Sequence, residues 1–366
     1  MVSIAQKVRT GVGDIQPYVP GITDDELKHR FGLHQVIKLN ANENALGTSP
    51  RALAAIRAEV ETLYLYPDGG STLLREAIAK FHGIDAGQVL AGNGSDNIIK
   101  MLSETFLQPG DNIVVPFPSF SQYNFGAHVM GAHVIEAPLR SDFSYDVEAL
   151  ARAVNDQTKL VYLCSPNNPT GTILKHSEAE WLLQHLPEHV MVLMDLAYND
   201  YSTNPHRVLE TPALLADPRV VTLHTFSKLY GLAGLRVGYA LASEEVWNYV
   251  HRVREPFNVN RLAQRAAAAA LDDEEHRRNS QQHAAVSQAY WAEQMHRVGL
   301  MAVPTEANFV LVRTGDGRKT VQDLMQQGMM VRAGFAGLDE YVRITFGTQA
   351  ENEACVRALA DLQLGN

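Results

Sequence analysis

The chain has 366 residues, of which 46% are hydrophobic and 20% charged, and its formal net charge is −10. This balance excludes a disordered or fibrous chain, and interspersed charges with a negative sum disfavour a nucleic-acid surface. The two cysteines, Cys164 and Cys355, are too few for a secreted disulfide scaffold, so a reducing cytoplasm is expected. The sequence has no run of about 18 uncharged apolar residues, so no membrane segment is predicted.

The first fifty residues predict an irregular N-terminal arm. Prolines and polar residues dominate this stretch, and one short helix is expected at 23–31. Thr23 is its expected N-cap, and Glu26 lies three residues on, as in a capping box. Residues 1–50 are therefore expected to pack on a smaller domain or on a partner subunit.

From about residue 70 the sequence alternates between helical and strand patterns. Helices are expected at 71–82, 95–107 and 176–186. Apolar runs predict strands at 89–92, 113–115, 159–164, 190–195, 220–225 and 236–241. Such runs are typical of strands covered on both faces. Residues 51–258 are thus expected to form a large, doubly wound α/β domain with a mostly parallel sheet.

The pattern changes again near Pro256. Residues 261–298 predict long helices, which are followed by expected strands at 308–313, 329–332 and 341–347. Helices are expected around 321–327 and from the last strand to about residue 362. Residues 259–366 therefore predict a smaller α/β C-terminal domain.

Lys228 follows the predicted strand 220–225, within the segment HTFSKLYGLAGLRVGY. A residue just after a parallel strand faces the crevice where open α/β sheets bind ligands, and lysine forms imines with carbonyl cofactors. Thr225 and Ser227 add hydroxyls, and Arg236 adds a guanidinium that suits a phosphate monoester. This set points to pyridoxal 5′-phosphate.

Two further strand ends carry polar side chains that fit the same cofactor. Asp195 ends the strand 190–195, where a carboxylate could pair with a protonated pyridine nitrogen, and Tyr198 could donate to the phenolic oxygen. Asn168 lies in the turn SPNNPTG, and from there its amide could reach the phenolate oxygen or a substrate carboxylate.

The segment AGNGSDN at 91–97 runs from a strand into a helix. Its glycines permit close backbone approach, and Ser95 or Asp96 would present free N–H groups at the helix N-terminus. Such a terminus is an anion site and suits a phosphate.

Taken together, these ordered motifs resemble the fold-type I pyridoxal-phosphate enzymes, and specifically the aminotransferases. The resemblance runs from PYVPG at 17–21 to RITFGT at 343–348. Within that group the chain is most similar to the histidinol-phosphate aminotransferase family. The segments that carry this likeness are KLNANEN at 38–44, YPDGG at 66–70, GNGSDN at 92–97 and the closing MMVR and YVRITFGT.

The resemblance implies a role for each matching residue. Lys228 would be the catalytic lysine. The residues implied to bind the cofactor are Tyr66, Ser95, Asp96, Asn97, Phe120, Asn168, Asp195, Tyr198, Thr225, Ser227, Lys228 and Arg236. Those implied to bind substrate are Tyr18, Asn42, Asn168, Arg332 and Arg343. No metal ligand is predicted.

The resemblance also assigns positions around the cofactor. Phe120 would stack on the pyridine ring, and Arg343 would hold the α-carboxylate of glutamate. Arg332, with Tyr18, would lie near the distal group of the substrate. Tyr66 would reach the cofactor phosphate of the neighbouring subunit, so a homodimer is expected.

The implied reaction converts histidinol phosphate and 2-oxoglutarate to imidazole acetol phosphate and glutamate, in histidine biosynthesis, by a ping-pong route through Lys228. Two departures bear on the substrate: Phe120 stands where tyrosine is usual, and Leu196 stands where a carboxylate is familiar. An aromatic amino-acid aminotransferase therefore remains an alternative. A threonine-phosphate decarboxylase and a catalytically silent pyridoxal-phosphate-binding protein are further alternatives.

Overall fold

A computed structural model describes residues 3–9, 11–13, 15 and 21–364 of the chain. Tyr18 lies outside the described residues. Before the main fold come a 3₁₀ turn, Ile4–Lys7, and helix α1, Asp24–Phe31. The predicted N-cap is confirmed, because the Thr23 hydroxyl accepts from the backbone N–H of Glu26 at 3.2 Å.

A seven-stranded sheet forms the centre of the described structure. Its strands are β2 (Val89–Gly92), β3 (Asn112–Phe117), β4 (His133–Pro138), β5 (Thr158–Cys164), β6 (Met191–Asp195), β7 (Val220–Thr225) and β8 (Gly238–Leu241). They lie in the order β2-β8-β7-β6-β5-β3-β4. β8 runs antiparallel to both of its neighbours, whereas the pairs from β7 to β4 are parallel. The predicted mostly parallel sheet is confirmed.

Helices cover both faces of this sheet. They are α2 (Pro50–Glu59), α3 (Thr72–His82), α4 (Ser95–Phe106), α5 (Gln122–Met130), α6 (Val147–Ala153), α7 (His176–His185), α8 (Pro212–Ala216) and α9 (Glu244–Val250). β5 shows why its sequence is apolar throughout: Tyr162 packs into one hydrophobic cluster, while Val161 and Leu163 pack into the cluster on the other face. A strand buried on both faces needs no polar alternation.

The C-terminal part is organised around smaller sheets and longer helices. Its helices are α10 (Arg261–Leu271), α11 (Glu274–Arg297), α12 (Gly317–Gln326) and α13 (Gln349–Leu364). β9 (Met301–Ala302), β10 (Phe309–Arg313) and β12 (Tyr341–Thr345) form an antiparallel sheet in the order β12-β10-β9. β1 (Ile37–Lys38) pairs with β11 (Met329–Met330). The segment before the large sheet is thereby joined to the C-terminal part.

The helix α10 bears on where the domains divide. Ala263, Ala266 and Ala270 are fully buried in the same cluster as Leu74 and Ile78 of α3. A row of alanines allows helices to approach closely, so α10 packs on the large-sheet side of the molecule. We propose that the large domain extends through α10, beyond the boundary expected at 258.

Several elements were not predicted from the sequence. They are α2, α5, α6, α8, α9, β1, β4 and β9. β4 lies at the edge of the large sheet, and its residues are mostly half-buried or exposed, so it lacks the apolar run that marks a central strand. Among the described residues, no helix is long and apolar enough to cross a membrane.

Candidate active site

Three neighbouring parallel strands end at one cavity of about 410 Å³. β5, β6 and β7 end at Cys164, Asp195 and Thr225, and the carboxyl edge of such strands is where open α/β sheets bind ligands. The cavity is lined by Ala41, Asn42, Ser95, Asp96, Phe120, Cys164, Asn168, Asp195, Ala197, Tyr198, Thr225, Ser227, Lys228, Arg236 and Arg343. Most of the predicted site residues therefore lie together.

Lys228 lies in the turn that follows β7. Its Nζ donates to the carbonyl oxygen of Ala41 at 3.0 Å and is 5.6 Å from the ring centre of Tyr198. Burial lowers the pKa of Lys228 to about 8, and the positive charge of Arg343 acts in the same direction. A lysine with a lowered pKa is more often a neutral amine, which is the form that attacks a carbonyl carbon.

Asp195 is the last residue of β6, and only 3% of its surface is exposed. One carboxylate oxygen accepts from the hydroxyl of Tyr123 at 2.7 Å. The other accepts from the backbone N–H of Ala197 at 3.1 Å. Burial raises the pKa of Asp195, while these two hydrogen bonds favour the charged form.

Tyr198 is positioned by a short chain of hydrogen bonds. Its hydroxyl accepts from the side-chain amide of Asn42 at 2.9 Å, and the Asn42 carbonyl oxygen accepts from the Thr345 hydroxyl at 3.0 Å. Burial raises the pKa of Tyr198 to about 12. The phenol therefore keeps its proton and can donate into the cavity.

One end of the cavity combines a helix N-terminus with an arginine. Ser95 is the first residue of α4, and the preceding Gly94 has a φ of 80°. A Cβ on Gly94 would lie 2.9 Å from the guanidinium of Arg236, so glycine lets this side chain approach the helix N-terminus. The guanidinium also lies 3.4 Å from Asp96. An exposed helix N-terminus beside a guanidinium is suited to a phosphate.

Two hydroxyls complete this end of the cavity. Ser227 Oγ accepts from Arg236 at 3.5 Å, and Thr225 Oγ1 accepts from the backbone N–H of Ser227 at 3.1 Å. Arg236 itself has a φ of 53° and precedes β8. The strand predicted to begin there begins instead at Gly238, because the left-handed backbone of Arg236 cannot join the ladder.

The opposite end carries a buried guanidinium. Arg343 in β12 is 7% exposed. It donates to the Asn168 side-chain oxygen at 2.6 Å and to the Asn40 carbonyl oxygen at 2.9 Å. Its Nε is buried and has no hydrogen-bond partner in the part of the chain that the structure describes, and burial lowers the pKa of Arg343 to about 10. Among the described residues no acidic side chain forms an ion pair with Arg343, so an anionic ligand would supply the missing negative charge.

A second cavity of about 550 Å³ adjoins this end. It shares Phe120, Asn168 and Arg343 with the first cavity and is also lined by Arg332. Arg332 and Arg343 pair through their backbones, with N–O distances of 3.1 and 2.7 Å. The two predicted substrate arginines are therefore neighbours on adjacent backbone segments.

Two of the predicted cofactor residues, Asn97 and Tyr66, do not line the cavity that contains Lys228. The side-chain oxygen of Asn97 accepts from the backbone N–H of Asn93 at 3.0 Å and from the side-chain amide of Asn258 at 3.2 Å. These two hydrogen bonds hold the side chain outside the cavity. Tyr66 is 79% exposed and stacks on Phe257 with ring centres 4.8 Å apart. Tyr18 lies outside the described residues.

Three residues that line the cavity, and one that lies behind it, were missed by the sequence analysis. Ala41 and Ala197 contribute backbone groups to Lys228 and Asp195, and Cys164 ends β5. Tyr123 bonds Asp195 from the start of α5. No local sequence signal marks Tyr123, because α5 was not predicted and the residue contacts Asp195 across 72 positions of sequence.

A separate polar cluster lies at β7. His82, Glu210 and His224 could together offer three ligand atoms to a metal ion. Glu210 already accepts from His224 at 2.8 Å and from the Thr222 hydroxyl, and His82 bonds the Tyr239 hydroxyl at 2.8 Å. We interpret the cluster as hydrogen-bonded and ion-paired side chains that join α3 to the sheet.

Comparison with known proteins identifies relatives over nearly the whole chain. The model of the family "Aminotransferase class I and II" matches residues 34–359. A histidinol-phosphate aminotransferase of Moorella thermoacetica is 45% identical, covering 99% of this chain and 94% of the relative. One of Brevibacillus brevis is 42% identical, covering 95% and 96%.

Comparison with solved structures identifies the same family of enzymes. A crystal structure of histidinol-phosphate aminotransferase from Sinorhizobium meliloti, in complex with pyridoxal-5′-phosphate, has a TM-score of 0.88 and 27% identity. It covers 95% of this chain, and 96% of its own chain is covered. The predicted fold and enzyme class are confirmed, and this chain belongs to the aminotransferase class I and II family.

Proposed function

We propose that this protein is a pyridoxal 5′-phosphate-dependent aminotransferase that exchanges an amino group between histidinol phosphate and 2-oxoglutarate. The observation that carries the proposal is one cavity that combines Lys228, Asp195 and the guanidinium of Arg343, which has no acidic partner among the described residues. An amine, a buried carboxylate and an anion site are the three groups this chemistry requires. Relatives that are 42–45% identical and named for histidinol phosphate support the substrate.

The side chains around the cavity fit this cofactor. Lys228 would hold it covalently, and Asp195 would face its ring nitrogen. The helix N-terminus at Ser95, the Ser227 hydroxyl and Arg236 form a site for its phosphate. Tyr198, which keeps its proton, would donate to the phenolic oxygen. Phe120, which lines the same cavity, offers an aromatic face to the ring.

When bound, the cofactor supplies a ring that accepts the electron pair released as the Cα–H bond breaks. Lys228 would take the proton from the substrate Cα and deliver it to carbon C4′ of the cofactor, because general-base transfer needs a group held within hydrogen-bond reach. Its lowered pKa, about 8, suits this role at neutral pH. Asp195 would face the ring nitrogen, and its charged form, which the hydrogen bonds from Tyr123 and Ala197 favour, would stabilise a proton there.

The substrate arginines serve two different anions. In the glutamate half-reaction, Arg343 binds the α-carboxylate in a bidentate pair, with Asn168 holding the guanidinium in place. In the other half-reaction Arg332, on the adjoining cavity, contacts the phosphate of histidinol phosphate. An arginine accepts either anion without a change of fold.

The partner surface we propose is a second copy of this chain. Tyr66, Tyr64, Leu63 and Leu65 are 79%, 84%, 55% and 47% exposed, and exposed apolar clusters mark interaction sites. Tyr66 does not line the cavity of its own chain. In a homodimer it would reach the phosphate site of the partner, so that each active site needs both chains.

Mixing two inactive variants tests this arrangement. Lys228→Ala and Tyr66→Ala chains, unfolded and refolded together, should form hybrid dimers in which one site has both residues intact. Random pairing gives about a quarter of the wild-type number of sites. No recovery in mixtures shown to exchange subunits would overturn the shared site, whereas aminotransferase activity of the wild-type protein reports the function separately.

The main experiment follows the visible absorbance of the purified protein reconstituted with pyridoxal 5′-phosphate. Addition of histidinol phosphate should convert the bound cofactor to its amino form, and 2-oxoglutarate should restore the first spectrum. A protein that binds no cofactor contradicts the enzyme class. A spectrum that responds to glutamate but not to histidinol phosphate contradicts the substrate.

One observation favours aromatic amino acids as a second candidate. Phe117, Phe120 and Phe335 line the adjoining cavity, and aromatic walls also suit a phenyl ring. Competition between phenylpyruvate and imidazole acetol phosphate measures the preference as a ratio of kcat/KM values. Release of carbon dioxide from threonine phosphate would instead indicate a decarboxylase, and cofactor binding without amino transfer would indicate a silent binding protein.

The proposed location is the cytoplasm. Cys164 and Cys355 are buried and unpaired, as is usual for proteins in a reducing compartment. Fractionation of the source cells with an antibody against the protein tests this assignment.

A further inference from the structure

The contact between Tyr123 and Asp195 assigns a role to a residue that does not line the cavity with Lys228. Tyr123 is fully buried, and its hydroxyl donates to a carboxylate oxygen of Asp195 at 2.7 Å. The other carboxylate oxygen is held by the Ala197 N–H. Each oxygen of Asp195 therefore has one fixed donor inside the protein, which leaves the carboxylate oriented with lone pairs free toward the cavity.

The position of the Tyr123 ring is fixed by its neighbours. It stacks on Tyr162 with ring centres 4.5 Å apart and an interplanar angle of 16°. Phe120, which lines the cavity, packs edge-on against it at 5.5 Å and 81°. One tyrosine thus contacts both the residue that would stack on the cofactor ring and the carboxylate that would face the ring nitrogen.

The electrostatic consequence follows from the surroundings of the pair. Burial raises the pKa of Asp195, and the hydrogen bond from Tyr123 acts against this increase. Burial and the nearby carboxylate also raise the pKa of Tyr123 well above its usual value, so the phenol remains a donor. Without that donor, the carboxylate would compete more strongly for a proton shared with a ligand.

We propose that Tyr123 is a positioning residue for the amino-transfer reaction: its hydroxyl orients Asp195 and keeps that carboxylate ionised, so that the proton remains on the ring nitrogen of the cofactor. The proposal rests on the cofactor assignment made above. It goes beyond that assignment because it predicts that the electron-accepting capacity of the ring depends on a side chain beyond Asp195.

The chain contains a matched control. Tyr162 is the stacking partner of Tyr123 and is equally buried, and its hydroxyl has no hydrogen-bond partner among the residues described. Tyr123→Phe and Tyr162→Phe each remove one buried phenol oxygen from the same stacked pair. Only Tyr123→Phe removes a donor from Asp195.

The test measures the protonation of the ring nitrogen in holoenzyme loaded with cofactor that carries ¹⁵N in the ring. Wild type and Tyr162→Phe should give the same ¹⁵N shift at each pH, and this shift should be that of a protonated ring. Tyr123→Phe should move the shift toward the neutral ring. Its kcat should fall about 10- to 100-fold, in line with the loss of one hydrogen bond to a charged group, with KM for 2-oxoglutarate little changed.

An unchanged ¹⁵N shift in Tyr123→Phe, or equal shifts in both variants, overturns the proposal. If Tyr123→Phe does not fold, site-specific Tyr123→3-fluorotyrosine keeps the ring and strengthens the donor. It should then move the ¹⁵N signal toward the protonated ring, or hold it there to higher pH, and an unchanged titration overturns the proposal. Failure of wild-type protein to bind the cofactor would instead refute the proposed function.

Discussion

The two ends of the active-site cavity are built differently. The cofactor end comprises Ser95, Asp195, Ser227, Lys228 and Arg236, all of which lie at one edge of the large sheet. The substrate end comprises Asn40, Asn42, Asn168, Arg332 and Arg343, which come from the loop after β1, the turn after β5 and the C-terminal sheets. The first is one edge of one sheet, and the second is assembled from parts distant in the chain.

This difference indicates that the cofactor end carries out the reaction and that the substrate end selects the substrate. Residues at a rigid sheet edge hold their positions to fractions of an ångström, as reacting groups must. Residues on segments joined mainly by hydrogen bonds, such as Arg343 to Asn168 and Asn40, can be replaced without disturbing the sheet. Substitutions at the cofactor end should therefore affect every substrate equally, and those at the substrate end should discriminate between substrates.

The largest effect is expected for Lys228→Ala. Loss of the general base should lower kcat about 10²- to 10⁴-fold, by the same factor for glutamate and for histidinol phosphate. Steady-state kinetics with both amino donors measure it, and Lys80→Ala, a lysine on the exposed face of α3, is the control. A loss confined to one donor would contradict the separation of the two ends.

A smaller and selective effect is expected for Arg343→Gln. Loss of a charged hydrogen-bonding group costs about 1.5–3 kcal/mol, which lowers kcat/KM for 2-oxoglutarate about 10- to 150-fold. Cofactor affinity, measured by titration of the cofactor-free protein, should stay within a few-fold of wild type. Arg313→Gln removes an exposed arginine that pairs with Glu340 on the same sheet, and should leave both quantities unchanged.

The contrast also explains which residues could be predicted from the sequence. Lys228, Asp195 and Asn168 each follow an apolar run that identifies a buried strand, and parallel strands bring their carboxyl ends together. Local patterns and one topological rule were therefore enough to predict that these three residues lie together. Asp96 and Arg236 were also predicted from local patterns, but a glycine-rich turn alone is weak evidence for a phosphate site, and the family resemblance strengthened that prediction.

The remaining features depend on contacts that no local pattern encodes. Tyr123 reaches Asp195 across 72 positions of sequence, and Arg343 reaches Asn168 across 175. In β12, alternate residues face opposite sides, so the strand pattern alone did not decide which way Arg343 points. β4 was missed because an edge strand that is half exposed resembles a loop in composition.

The pH dependence of cofactor binding tests whether Arg343, at the substrate end, affects Lys228, at the cofactor end. Burial and then the charge of Arg343 lower the pKa of Lys228 from its usual 10.5 to about 8. At neutral pH this makes the neutral amine about 300 times more abundant than for an ordinary lysine. The rate at which cofactor-free protein binds pyridoxal 5′-phosphate should rise with pH and level off above about 8.

In Arg343→Gln the midpoint of this profile should move to higher pH, because the variant lacks a positive charge that disfavours the ammonium form of Lys228. Stopped-flow absorbance measures both profiles. A midpoint that moves to lower pH contradicts the proposed effect of Arg343 on Lys228.

The smallest effect is expected for Arg332→Gln. Arg332 is exposed, so its interaction with a phosphate is weakened by water, and we expect a decrease of about three- to tenfold in kcat/KM for histidinol phosphate. Glutamate has a carboxylate at Arg343 and no phosphate, so its kcat/KM should change less than twofold. Raising the ionic strength should reduce the wild-type advantage with histidinol phosphate, because exposed charges are screened. Equal losses for both substrates would contradict a specific contact between Arg332 and the phosphate. Arg343 would then be the residue that binds both anions.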